Sequence, residues 1–155
     1  MDMERKLAFL QNVYAASIAE SVNLYQGFGQ LGAVVAKKEA RQAQTAPYMI
    51  QQLGIGSVED VFEQLTNLFG CANWKVEHTA DGYHAIATTC KLCALAKKMG
   101  GASPCHGWCI DPMVAMINAL VASQGKTATI RLERTLMEDT SCALAISVSQ
   151  DPGAR

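Results

Sequence analysis

Two close pairs of cysteines, Cys90 with Cys93 and Cys105 with Cys109, constrain this chain more than any other feature. The spacing is C-x2-C, eleven residues, then C-x3-C. Thiolates are the soft ligands that zinc and iron–sulfur clusters select, and four of them close a tetrahedral site. The fold must therefore bring the segment after residue 90 against the segment after residue 105. Gly100, Gly101 and Pro104 lie between the pairs and let the backbone turn back. A redox C-x2-C pair is a narrower reading, which leaves Cys105 and Cys109 without a role. The short ferredoxin run C-x2-C-x2-C is absent, which favours Zn2+ over a 4Fe-4S cluster without excluding the cluster.

A chain of 155 residues with 50% hydrophobic and 17% charged residues is expected to form a single domain, residues 1–155, around a real core. The formal net charge is −1 and no basic run stands out, which argues against nucleic acid or an anionic membrane as partner. Polar residues interrupt every long apolar stretch, so no membrane span is expected. Met1 to Lys6 mixes acids with bases and does not read as a secretory signal. The expected location is the cytoplasm, where clustered cysteines serve metal or redox chemistry more often than disulfides.

The periodicity divides the chain into a helical part, residues 1–70, and a part of two hairpins flanking the cysteine-rich segment, residues 71–150. Leu7, Leu10, Tyr14, Ile18, Val22 and Tyr25 mark a long first helix. A second is expected from Leu31 to Gln42, with Lys37, Lys38, Glu39 and Arg41 on its wet face. A linker at Pro47 and a short turn from Tyr48 to Leu53 follow. Ser57 and Asp60 form a capping-box pattern, and Gly70 closes the third helix. The period then changes to two. Trp74, Val76 and His78 alternate with polar residues, Asp81-Gly82 makes a hairpin turn, and Tyr83 to Thr89 returns and delivers Cys90. Cys93 falls one turn into a short helix. Asp111-Pro112 reads as N-cap and first residue of a further helix that Gly125 stops. A second hairpin spans Thr127 to Arg134 and Cys142 to Val148, and residues 150–155 are expected to fray. The expected class is α+β, helices on an antiparallel sheet of two hairpins, in the order ααα-ββ-αα-ββ.

Other chemistry-bearing residues cluster near the cysteines. His106 can serve as ligand, as hydrogen-bond donor behind a ligand or as general base, or simply be exposed. Trp108 either lines a ligand pocket or covers the metal site. Asp111 reads as an N-cap before it reads as a catalytic acid or base. Arg134 falls on the apolar phase of its strand, where it needs a partner, a ligand carboxylate or Glu133, Glu138 or Asp139, unless a register shift near the strand end puts it in water. Cys142 opens the last strand on its apolar face, near the metal loop or within the core. No dinucleotide, P-loop, G-x-S-x-G or H-E-x-x-H motif is present.

From about Trp74 to Val148 the chain resembles the 4-vinyl reductase, or hydrocarbon-binding, domain and the related L-2-amino-thiazoline-4-carboxylic acid hydrolase-like family. The resemblance rests on the paired cysteines after the first hairpin, on P-C-H-G-W-C-I-D from Pro104 to Asp111 and on E-R-T-L-M-E-D-T-S-C from Glu133 to Cys142. Glu138 stands where those families carry a glycine before the matching Asp139, and Cys90 stands where a carboxylate can occur. The resemblance implies zinc on Cys90, Cys93, Cys105 and Cys109 beside a pocket for a small apolar or aromatic molecule, in a sensory or carrier role. Its hydrolase branch implies an alternative, the opening of a small thiazoline or cyclic amidine; metal-bound water, Cys142 or Cys109 would then be the nucleophile and His106 or Asp111 the base. An iron–sulfur redox or maturation protein is the third reading. The first helix is a candidate homodimer face, because it carries more apolar surface than a small sheet covers.

Overall fold

The computed structural model describes residues 1–150 and has the expected α+β class. Three helices come first: α1 (Met3–Gly27), α2 (Leu31–Leu53) and α3 (Val58–Phe69). A hairpin of β1 (Lys75–His78) and β2 (Gly82–Ala87) follows, then α4 (Lys91–Lys98), a turn at Cys105–Cys109 and α5 (Ile110–Ser123). The hairpin of β3 (Lys126–Arg134) and β4 (Cys142–Gln150) completes a four-stranded sheet of order β1-β2-β4-β3. The expected frayed tail falls at residues 151–155, outside the described residues, whereas Gln150 still belongs to β4.

The two hairpins fuse through β2 and β4, which pair antiparallel from Gly82 opposite Ser147 to Ala87 opposite Cys142. The Asp81-Gly82 turn locks this junction. Val148 N–H donates to the Asp81 carbonyl at 2.9 Å, and Ser147 Oγ donates to the Asp81 carboxylate at 3.0 Å. A Cβ at Gly82 would collide with the Ile146 carbonyl, so only glycine fits there.

The apolar face of the sheet, with Leu144 and Ile146 fully buried, packs on α5 through Met113, Ile117 and Leu120. α3 closes that core with Val61 and Phe62. Its start is the expected capping box: Asp60 N–H donates to Ser57 Oγ at 3.2 Å, and Ser57 N–H donates to the Asp60 carboxylate at 3.1 Å. A second core lies between α1 and α4, where Ala15, Ala19 and Ala96 allow close approach. One face of the N-terminal half of α1 is uncovered: Leu7, Phe9, Leu10 and Val13 are exposed, and Leu10 is 63% exposed.

The expected break at Pro47 does not occur. α2 runs through it to Leu53. An interior proline removes one hydrogen bond and costs ~3 kcal/mol. Here Ala43, whose carbonyl loses its partner, is exposed with Pro47, so water can serve that carbonyl. Continuing the helix packs Met49, Ile50 and Leu53 against the core. At roughly 1.5–3 kcal/mol per fully buried side chain, even partial burial of all three offsets the proline.

α5 and its preceding turn form an apolar run, Cys105–Ser123, of mean hydropathy 1.2. The regular helix within it has 14 residues. At 1.5 Å per residue it spans about 21 Å, short of the roughly 30 Å hydrocarbon core of a bilayer. It is the central core helix of this fold, with Met113, Met116, Ile117, Leu120 and Val121 buried.

Candidate metal centre and adjoining cavity

The end of the first hairpin places Cys90. Asn73 Oδ1 accepts from the Thr88 and Thr89 amides at 2.8 and 2.9 Å, and Lys91 N–H donates to the Cys71 carbonyl at 2.8 Å. Cys90 then caps α4: its Sγ accepts from the Cys93 amide at 3.4 Å. The second pair sits on a wide turn in which Ile110 N–H reaches back to the Cys105 carbonyl. Within it His106 is extended and Gly107 has φ +85°, a left-handed value that favours glycine. A Cβ at Gly107 would press to 3.3 Å from Val35 Cγ2 on α2.

The two cysteine pairs do meet. Cys90, Cys93, Cys105 and Cys109 line one small cavity of about 10 Å³, and Cys142 joins them from the start of β4. All are free thiols. The Cys93 and Cys105 sulfurs are 3.8 Å apart, within hydrogen-bond reach. The Cys93 thiol, with its single proton, can serve Cys105 or Cys90. These bonds pull the Cys105 thiol down to about 6 and the Cys90 thiol down to about 7, and push Cys93 up. Backbone amides at the start of α4 add to the lowering at Cys90, as helix N-termini do. Burial pushes Cys109 up, and pushes Cys142 to about 12.

The donor set suits zinc. Sulfurs at ~2.3 Å from a tetrahedral zinc lie about 3.8 Å from each other, which matches the Cys93–Cys105 separation. The cavity has the size of one small sphere, far below a four-iron cube. As placed among the described residues, however, no three His, Cys, Asp or Glu groups converge on a common point that could hold an ion. Cys93 and Cys105 instead meet each other, and Cys90 accepts from the Cys93 amide.

A second cavity, of about 240 Å³, lies between α1, α2, α3 and α5. Its walls are largely apolar: Ile18, Ala46, Met49, Leu65, Met113 and Met116 contribute. Ala72, Trp74, Leu92 and Cys109 line both this cavity and the cysteine cavity. Cys109 therefore stands in the wall between them. Its volume is below the roughly 300–1,000 Å³ typical for drug-sized ligands, so it suits a small occupant.

The other expected site residues separate. Trp108 lines the large cavity, stacks on Tyr25 with ring centres 6.2 Å apart and does not line the cysteine cavity. Asp111 is not the N-cap of α5: it is the helix's second residue. Its carboxylate accepts from Gly107 N–H at 2.7 Å and meets His106 Nδ1 at 2.9 Å. The wide turn carries the helix start back to Ile110, so the Asp-Pro opening falls one step inside. His106 remains exposed, and neither it nor Asp111 shares a cavity with Cys142. Of the three expected catalytic residues, His106 and Asp111 form a pair, and Cys142 lines the sulfur cavity without them. Arg134 lies at a register shift in β3, donates to Ser141 Oγ at 2.6 Å and lines neither cavity.

Lys38, expected on the wet face of α2, is half-buried. Its ammonium sits 5.0 Å from the centre of the Trp108 ring at the cavity. Gln42, one turn on, donates from Nε2 to the Gly107 carbonyl at 2.7 Å. The signal was present: Val34, Lys38, Gln42, Thr45 and Met49 follow helical steps on one stripe.

No protein-family model, curated protein or solved structure matches this chain.

Proposed function

We propose that this protein is a small-molecule-binding domain, in a sensory or carrier role, whose cavity takes a small apolar or aromatic compound and whose four-cysteine site holds zinc. The position of Cys109 in the wall between the two cavities carries this reading. Zinc on Cys90, Cys93, Cys105 and Cys109 would fix the turn that forms one side of the ligand cavity. A site closed by four thiolates leaves no position for water, so its role is structural. His106 pairs with Asp111 and not with a cysteine, which supports binding over hydrolysis, because a nucleophile and its base must lie within hydrogen-bond reach.

The test measures zinc content and binding together. Metal analysis should find one zinc per chain. Small aromatic compounds should change the fluorescence of Trp74 and Trp108, which both line the cavity. Ala46→Phe, which fills the cavity from a position 2% exposed, should abolish the fluorescence change and leave zinc in place. Binding that survives Ala46→Phe would place the ligand elsewhere.

A further inference from the structure

The cavity is largely apolar, and α2 gives it a polar corner. Gln42 Oε1 is buried there without a hydrogen-bond partner. The amide cannot turn over to relieve this, because Nε2 is held by the Gly107 carbonyl at 2.7 Å. A buried acceptor without a donor is costly, and it is relieved by an O–H or N–H brought in by a ligand. Lys38 lies one helical turn earlier on the same face. Its ammonium rests over Trp108 and makes no ion pair with an acidic side chain among the described residues. The corner therefore offers one cation and one acceptor side by side, above a floor of methionine and aromatic side chains.

We propose that the cavity selects a small acid with an apolar or aromatic body, whose carboxylate faces Lys38 and whose adjacent hydroxyl or amine donates to Gln42 Oε1. This rests on the reading of the cavity as a ligand site. Side chains four residues apart on a helix have Cβ atoms about 5–6 Å apart, so the two recognised groups belong on neighbouring carbons. The volume of about 240 Å³ accepts one ring with a short acidic side chain.

Three probes separate the contributions: 3-phenyllactate, 3-phenylpropionate, which lacks the hydroxyl, and methyl 3-phenyllactate, which lacks the charge. Titration calorimetry on the full chain should give phenyllactate an affinity about tenfold above each of the other two. Lys38→Met should bring the acid down to the ester. Gln42→Leu should bring phenyllactate down to phenylpropionate. Because Gln42→Leu also removes the bond to Gly107, the three probes on the unaltered protein decide the matter without it. Equal affinity for all three would overturn the acid proposal while leaving the cavity as an apolar binding site. Binding of none would overturn both.

Discussion

The Gln42 side-chain amide donates to the Gly107 carbonyl at 2.7 Å, and this bond joins a wall of the large cavity to the turn that carries Cys105 and Cys109. Gly107 must also hold φ +85° against Val35. Gly107→Ala should destabilise the fold by about 1–3 kcal/mol, from left-handed strain and contact with α2. Urea denaturation reads the loss, and zinc content should fall with it because both flanking cysteines move.

Metal removal should act through the small cavity alone. Cys93→Ser and Cys105→Ser, at the 3.8 Å sulfur pair, should abolish zinc retention. Cys71→Ser should retain it, because Cys71 lines the large cavity and not the small one. A site filled at a thousandfold excess over its Kd contributes about 4 kcal/mol, or a fall in Tm of roughly 8–16 °C on stripping. Elemental analysis and thermal melts check both. Iron with acid-labile sulfide in place of zinc would overturn the assignment.

Asn23 stitches the two helices of the second core. Its amide donates to the Ala19 carbonyl at 2.7 Å and the Ala96 carbonyl at 3.2 Å, and its oxygen accepts from Ala102 N–H at 2.9 Å. Asn23→Leu keeps the branching of the side chain and strands these groups, so it should cost ~2 kcal/mol. A change of that size in denaturant midpoint with an unchanged slope is the expected result.

The legible part of the fold was the part written in period and caps. Ser57 with Asp60 gave the start of α3, Asp81-Gly82 gave the first turn, and the change of period after Gly70 gave the order of elements. The meeting of the two cysteine pairs was legible from their spacing. What escaped were positions where packing overrides a local rule. Pro47 failed to end α2 because Met49, Ile50 and Leu53 are held by the core beyond it. Asp111 left the N-cap because the wide turn at Cys105 shifts the helix start. Lys38 was assigned to solvent by its charge, although its methylenes and its place on the α2 stripe carry it onto Trp108. At Arg134 the register shift weighed from the sequence is present, and Ser141 takes the side chain.

On the outer face of the sheet, His84 Nε2 and Glu133 Oε1 lie 2.6 Å apart. The hydrogen bond from His84 holds the Glu133 carboxyl below its ordinary value of 4.5. A carboxyl lowered in the folded state adds stability above its unfolded value, and that stability is lost as pH falls through the folded value. Denaturant midpoints should therefore fall on acidification below pH 4.5, and Glu133→Gln should flatten that limb. An unchanged acid limb in the variant would assign the acid sensitivity to other groups.

The strand order has a consequence for synthesis. β4 emerges after every other described element, yet the two hairpins join only through its pairing with β2. On the ribosome, β1 and β2 wait as a short two-stranded ribbon with the β2 edge unpaired, while all five helices are already made. A hairpin alone is marginal in water. The sheet, and with it the Cys142 side of the sulfur cavity, can form only when translation has delivered residues 142–150, so a chain stalled before that point exposes an edge open to pairing with its neighbours.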